Sequence, residues 1–215
     1  MQKWNIPPDG PFQLNIAALF GQGTQSYTDD QVWELNFGSG QPQALALQTN
    51  FGLRARNMVL FPQWTHRGEI IINPSQFHRL PVIEKFSPDR IQINFAPISG
   101  IETTAEYWVR SSNVVAGRFR FTNRGIFREN FRFEWMALLS PHGSGNGMSA
   151  QEIENSYILK GRTSNLFPVC ILNSGPIPGS SPYPSLMVQV DLMQGASPQF
   201  EAFLKGPVST VLKLF

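Results

Sequence analysis

This chain has little of what builds disulfide staples, metal centres or nucleic-acid grips. Cysteine occurs once, at Cys170 within Phe167-Pro168-Val169-Cys170-Ile171-Leu172, so no intramolecular disulfide can form and a reducing compartment is expected. The apolar neighbours mark Cys170 as a small buried hydrophobe rather than a nucleophile. Histidine occurs three times, at His66, His78 and His142. None has a second ligand at metal spacing, so neither a metal nor a cofactor is expected. Charged residues make up only 15% of the chain, against about 25% in ordinary domains. Lysine runs are missing, and a net charge of +2 without them is a poor nucleic-acid footprint. No stretch approaches the ~20 apolar residues of a membrane span, and Met1 to Pro8 contains no signal-peptide core. The expected protein is cytoplasmic, with neither membrane nor nucleic acid as a partner. Also missing are a glycine-rich phosphate loop leading into a helix, a Gly-x-Ser-x-Gly elbow, and amphipathic helices of ordinary length.

Aromatics, glycine and proline are plentiful: 12% aromatic residues with 17 Phe, 18 Gly and 17 Pro. Their placement carries the fold. Phe119 and Phe121 share one parity with Arg120 between them, and after Asn123-Arg124-Gly125 the residues Phe127, Phe131, Phe133 and Trp135 again share one. Strand side chains alternate between faces, so each segment builds a sheet with one apolar and one charged face. The Asn-Arg-Gly step reads as a hairpin turn using residues that tolerate positive φ. Further strands are expected at Phe12–Ile16, Val32–Phe37, Ala44–Thr49, Leu53–Phe61, Glu69–Ile72, Arg90–Phe95, Glu102–Val109, Tyr157–Gly161, Phe167–Leu172 and Leu186–Leu192. A loop is expected over Pro62–Gly68. Ser149 with Glu152 has capping-box form, predicting a short helical turn over 150–155. Strands spaced by about ten residues and separated by Gly/Pro turns predict an all-β, two-layer, largely antiparallel β-sandwich. Residues 1–11 read as an extended arm, 12–205 as the single sandwich domain, and 206–215 as an apolar tail that could begin a further domain or drive homo-oligomers.

Chemistry is sparse. Glu102, Glu106, Glu129 and Glu134 are the carboxylates best placed for a glycosidase pair, but cross-strand pairing with the arginines between Arg110 and Arg132 accounts for them without catalysis. No catalytic residue is assigned, and the chain alone is not expected to be an enzyme. The candidates for contact with a carbohydrate are Trp64, His66 and Arg67 in the 62–68 loop, and Tyr183 between Pro182 and Pro184. A flat aromatic ring can stack on the apolar C–H face of a sugar.

An ordered series of segments carries a resemblance. It runs Phe121-Thr122-Asn123-Arg124-Gly125, Phe131–Leu139, Ile158-Leu159-Lys160-Gly161-Arg162-Thr163, Phe167-Pro168-Val169, Ser181-Pro182-Tyr183-Pro184-Ser185-Leu186, Val190-Asp191-Leu192 and Gln194-Gly195. It resembles the N-terminal supersandwich of bacterial glycogen-debranching-like and glucoamylase-like proteins, over residues 12–205. The resemblance implies a non-catalytic accessory domain that packs on an (α/α)6-barrel catalytic unit or touches a glucan, with the catalytic carboxylates in the barrel. The alternative is an immunoglobulin-like interaction module that binds another protein and no sugar.

Overall fold

The computed structural model describes residues 4–5, 13–18, 32–51, 53–111, 114–164 and 166–205, with 4–5 and 202–205 by backbone alone. The tail 206–215 and most of the arm 1–11 lie outside the described residues. The strands are β1 (Trp4–Asn5), β2 (Gln13–Ile16), β3 (Trp33–Phe37), β4 (Leu45–Thr49), β5 (Ala55–His66), β6 (Glu69–Ile71), β7 (Arg79–Ser87), β8 (Arg90–Ile98), β9 (Ile101–Ser111), β10 (Val114–Asn123), β11 (Glu129–Pro141), β12 (Asn146–Ile153), β13 (Ser156–Arg162), β14 (Val169–Leu172), β15 (Ile177–Pro178), β16 (Ser185–Leu192) and β17 (Gln199–Lys205). One sheet has nine strands in the order β1-β7-β8-β9-β10-β17-β14-β13-β12. The other has eight, β15-β16-β11-β5-β4-β3-β2 with β6 beside β5. Every strand pairing is antiparallel. The expected all-β sandwich is therefore the observed architecture. Among the described residues the helical element is a single 3-10 turn, Pro74–Gln76, and no helix is long and apolar enough to cross a membrane.

β10 and β11 do not form the expected hairpin. β10 pairs with β9 and β17 in the nine-stranded sheet, and β11 with β5 and β16 in the other. Side-by-side and face-to-face strands give the same period of two. The chain crosses between layers at 124–128, so the aromatic faces of β10 and β11 oppose each other across the core. Phe119 meets Phe133 at 5.0 Å and Trp135 at 5.3 Å between ring centroids, and Phe121 meets Phe131 at 5.3 Å. Nor does the crossing rely on positive φ at 123–125, which is absent there. Instead the buried Asn123 uses its side chain. Its Nδ2 donates to the Phe127 and Leu192 carbonyls, and its Oδ1 accepts from the Gly125 N–H. That side chain ties the crossing to the end of β16, a local Asn bond replacing a turn type.

Two other local expectations are corrected. The 62–68 loop is mostly strand: β5 continues to His66, and only Arg67 (φ 52°) and Gly68 (φ 86°) turn. Residues 150–155 form no helical turn, because β12 runs to Ile153 and Glu154 and Asn155 both take positive φ, at 49° and 62°. Both are two-residue connections of the kind that match strand twist.

Outer faces differ between the layers. On the nine-stranded sheet, Arg118 lies between Glu106 and Glu201, bonding the latter at 2.6 Å, and Arg90 reaches Glu106 at 3.5 Å. These charges pair between β8, β9, β10 and β17, not with the glutamates of β11. On the eight-stranded sheet, Ala44, Ala46, Val59, Phe61 and Met136 form a second apolar cluster, against which Tyr183 packs. Beside it Glu134 is sealed at 1% exposure and accepts a hydrogen bond from Ser185 Oγ at 2.9 Å. Gly179 crosses directly above; a Cβ there would overlap both Ser185 Oγ and Glu134 Oε2.

Phe133 is fully buried and touches Trp64, Phe119, Phe121 and Phe200. Phe133→Ala should therefore lower stability by about 3–5 kcal/mol in urea unfolding. A loss comparable to that of a surface substitution would show that the cross-sheet contact is dispensable. Cys170 is wholly buried, and burial pushes its thiol up to about 12, with a Trp135 hydrogen bond opposing. Native protein at mildly alkaline pH should leave a thiol reagent unconsumed until denaturant is added.

Candidate functional site

The sandwich opens at the end where the β5–β6 turn, the 3-10 turn and the β8–β9 connection meet. Asn73 caps the 3-10 turn by accepting from the Ser75 N–H, while Gln76 reaches back to the Asn73 N–H. This fixes the approach of Phe77 and His78, which precede β7. Across the gap Gly100, at φ 80°, reverses the chain between β8 and β9, and its carbonyl accepts from the Arg124 N–H at 2.8 Å. The result is an open cleft of about 660 Å³ between the layers. Its walls are His66, Glu69, Ile70 and Ile71 from one sheet, with Gln76, His78 and the Pro97–Ser99 backbone segment from the other side. A second hollow of about 350 Å³ adjoins it and shares His78; Arg79, Gly100, Glu102 and Arg124 line it.

Titratable groups here are bonded to one another. His66 Nε2 lies 2.8 Å from Glu129 Oε2, and Arg67 Nη2 lies 3.4 Å from the other carboxylate oxygen. Glu102 accepts from Arg124 Nε at 2.9 Å and from Arg79 Nη2 at 3.2 Å. The Arg124 hydrogen bond is the main cause holding the Glu102 carboxyl below its ordinary value of 4.5; partial burial opposes it, and Arg79 and Asn94 add to it. Among the described residues no three of His, Cys, Asp and Glu gather as metal ligands.

The four contact candidates separate. His66 lines the cleft, and Arg67 stands exposed at the neighbouring turn. Trp64 points inward with no exposed surface, edge-on to Phe77 and Phe95. It offers no stacking face, because the extension of β5 carries it into the core instead of a loop tip. Tyr183 lies on the outer face of the eight-stranded sheet, its ring edge-on to Phe61 at 5.7 Å, away from the cleft. The four carboxylates separate too. Glu102 and Glu106 share a face of β9, but four residues of strand set them roughly 13 Å apart, wider than the ~5–9.5 Å of glycosidase pairs. Glu129 and Glu134 occupy opposite faces of β11. His78, Arg79 and Arg124 were missed: the 73–80 segment has no strand alternation, and Arg124 read as a turn residue.

No family model matches the sequence, and no curated protein matches it. Solved structures share the fold. An Escherichia coli K12 protein described as a putative aldose 1-epimerase superposes with a TM-score of 0.57 at 7% identity, over 91% of this chain and 99% of its own. A bacterial glucoamylase complexed with acarbose gives 0.58 at 11% identity, and heparinase III gives 0.55 at 10%. Both matches cover 95% of this chain but only 35% of the enzyme, so the chain spans about a third of either. The described sandwich is thus the fold of the N-terminal sandwich regions of carbohydrate-active enzymes and of epimerase-like proteins.

The lowered Glu102 carboxyl has a signed consequence. A carboxylate held below its unfolded value stabilises the fold above about pH 4.5, and this is lost as the pH falls through the lowered value. Arg124→Ala should raise the Glu102 titration midpoint, read by carboxyl-carbon NMR. Its stability deficit, about 0.5 kcal/mol for so exposed a pair, should be present at neutral pH and shrink in acid. A deficit that grows on acidification would refute the assignment.

Proposed function

We propose that the protein is a non-catalytic accessory sandwich of a carbohydrate-active system, working beside a separate catalytic unit and touching a glycan through the end cleft. An (α/α)6-barrel is the expected catalytic partner. The observation that carries this reading is the fold match covering nearly all of this chain but about a third of glucoamylase and of heparinase III. Cleft chemistry agrees with it. Exposed Glu69 and Gln76 offer polar groups to hydroxyls, while exposed Ile70 and half-buried Ile71 offer apolar surface to a sugar ring.

The 99% coverage of the epimerase-related chain favours a second reading, a free-standing enzyme acting at an anomeric carbon. His66 and Glu129 would be its acid and base. They are hydrogen-bonded to each other, whereas such catalysis needs each group to reach the substrate.

Purified protein should leave maltoheptaose and heparan sulfate fragments uncut and should not speed anomer exchange followed by proton NMR. It should bind members of a glycan panel in calorimetry, with binding lowered by His66→Ala and by Glu69→Gln. Turnover abolished by Glu129→Gln would install the second reading. Failure to bind any glycan would remove the contact and leave a protein-interaction role.

A further inference from the structure

The two hollows of the end cleft differ in charge. Elsewhere the ion pairs set one arginine against each carboxylate: Arg90 and Arg118 with Glu106 and Glu201 on the nine-stranded sheet, and Arg128 with Asp191 beside the other. In the smaller hollow two guanidinium groups, Arg79 and Arg124, converge on the single carboxylate of Glu102. One positive charge is left over. Both arginine side chains remain open to solvent, at 49% and 69% exposure, while Glu102 between them is 24% exposed.

Their donors are only partly used. A guanidinium carries five N–H donors in a planar fork. Arg124 meets Glu102 through Nε, and Arg79 meets Glu102 and Asn94 through Nη2. Both terminal nitrogens of Arg124 and Nη1 of Arg79 therefore remain for a ligand, and a fork of this kind grips planar or tetrahedral oxyanions in bidentate fashion. In the larger hollow Glu69 supplies a negative charge, which repels an anion and accepts from hydroxyls.

We infer that the end cleft recognises an acidic sugar, its pyranose ring in the larger hollow and its carboxylate or sulfate held by Arg79 and Arg124 in the smaller. This deepens the glycan-contact reading and rests on it. A neutral glucan would leave the surplus charge unmatched.

Calorimetry with three hexasaccharides tests this: hyaluronan, bearing carboxylates; a heparin fragment, bearing sulfates as well; and neutral maltohexaose. The acidic chains should bind roughly tenfold or more tightly than maltohexaose, with an advantage that falls as salt rises. Preference for hyaluronan would assign a carboxylate, and preference for the heparin fragment a sulfate. Arg79→Gln and Arg124→Gln should each remove most of the advantage and leave maltohexaose unaffected. Arg128→Gln, which loses the same charge outside the hollow, should keep it. Glu102→Gln removes the competing carboxylate and should tighten acidic binding, a gain that misfolding cannot mimic. Equal affinity for acidic and neutral chains, or an equal loss in Arg128→Gln, overturns the inference while leaving the accessory reading in place. If no glycan binds, both fall.

Discussion

Everything in this sandwich depends on aromatic rings meeting across the two layers at the β10–β11 crossing. Phe119 and Phe121 come from one sheet, Phe131, Phe133 and Trp135 from the other, with Phe200 of β17 against Phe121. Edge-to-face and tilted ring pairs add to the burial of large apolar surface. The two strands are joined by so short a link that their facing registers are set together, and Asn123 anchors the link by binding carbonyls on either side. Position of the end cleft follows. Arg124 leaves Asn123 toward Gly100, and Glu129 starts β11 within reach of His66.

Much of the fold was legible because apolar alternation has a single physical cause, burial of one strand face. Phe119, Phe121, Phe131, Phe133 and Trp135 are all buried, as their parity required. What alternation cannot carry is partner choice, so β10 and β11 looked like neighbours. β7 escaped notice because register shifts at Arg79/Val82 and Ile83/Lys85 break its period. Turn chemistry misled where two consecutive residues took positive φ without an Asn-Gly signature, at Arg67-Gly68 and Glu154-Asn155.

The site was less legible, since its residues come from four connections that sequence separates widely. Polar flanks single out the 62–68 segment as a loop, yet through His66 it is strand. A Trp between Gln63 and Thr65 suggests exposure only if the local backbone is a loop; in a strand the same triplet alternates, and Trp64 faces inward while Gln63 and Thr65 face the other way. The charge surplus at Arg79, Arg124 and Glu102 needs three-dimensional pairing to be seen, because Glu102 lies 23 residues from Arg79 and 22 from Arg124.

The central place of β17 bears on how the chain acquires its shape. Six times the path passes from one layer to the other, and its last described strand is inserted between β10 and β14 rather than added at an edge. Without β17 the nine-stranded sheet is two separate parts, β1-β7-β8-β9-β10 and β14-β13-β12, each with an open flank where β17 lies. Each flank presents unpaired backbone groups until β17 covers it. Closure of the nine-stranded sheet therefore waits for β17, which fills both gaps at once.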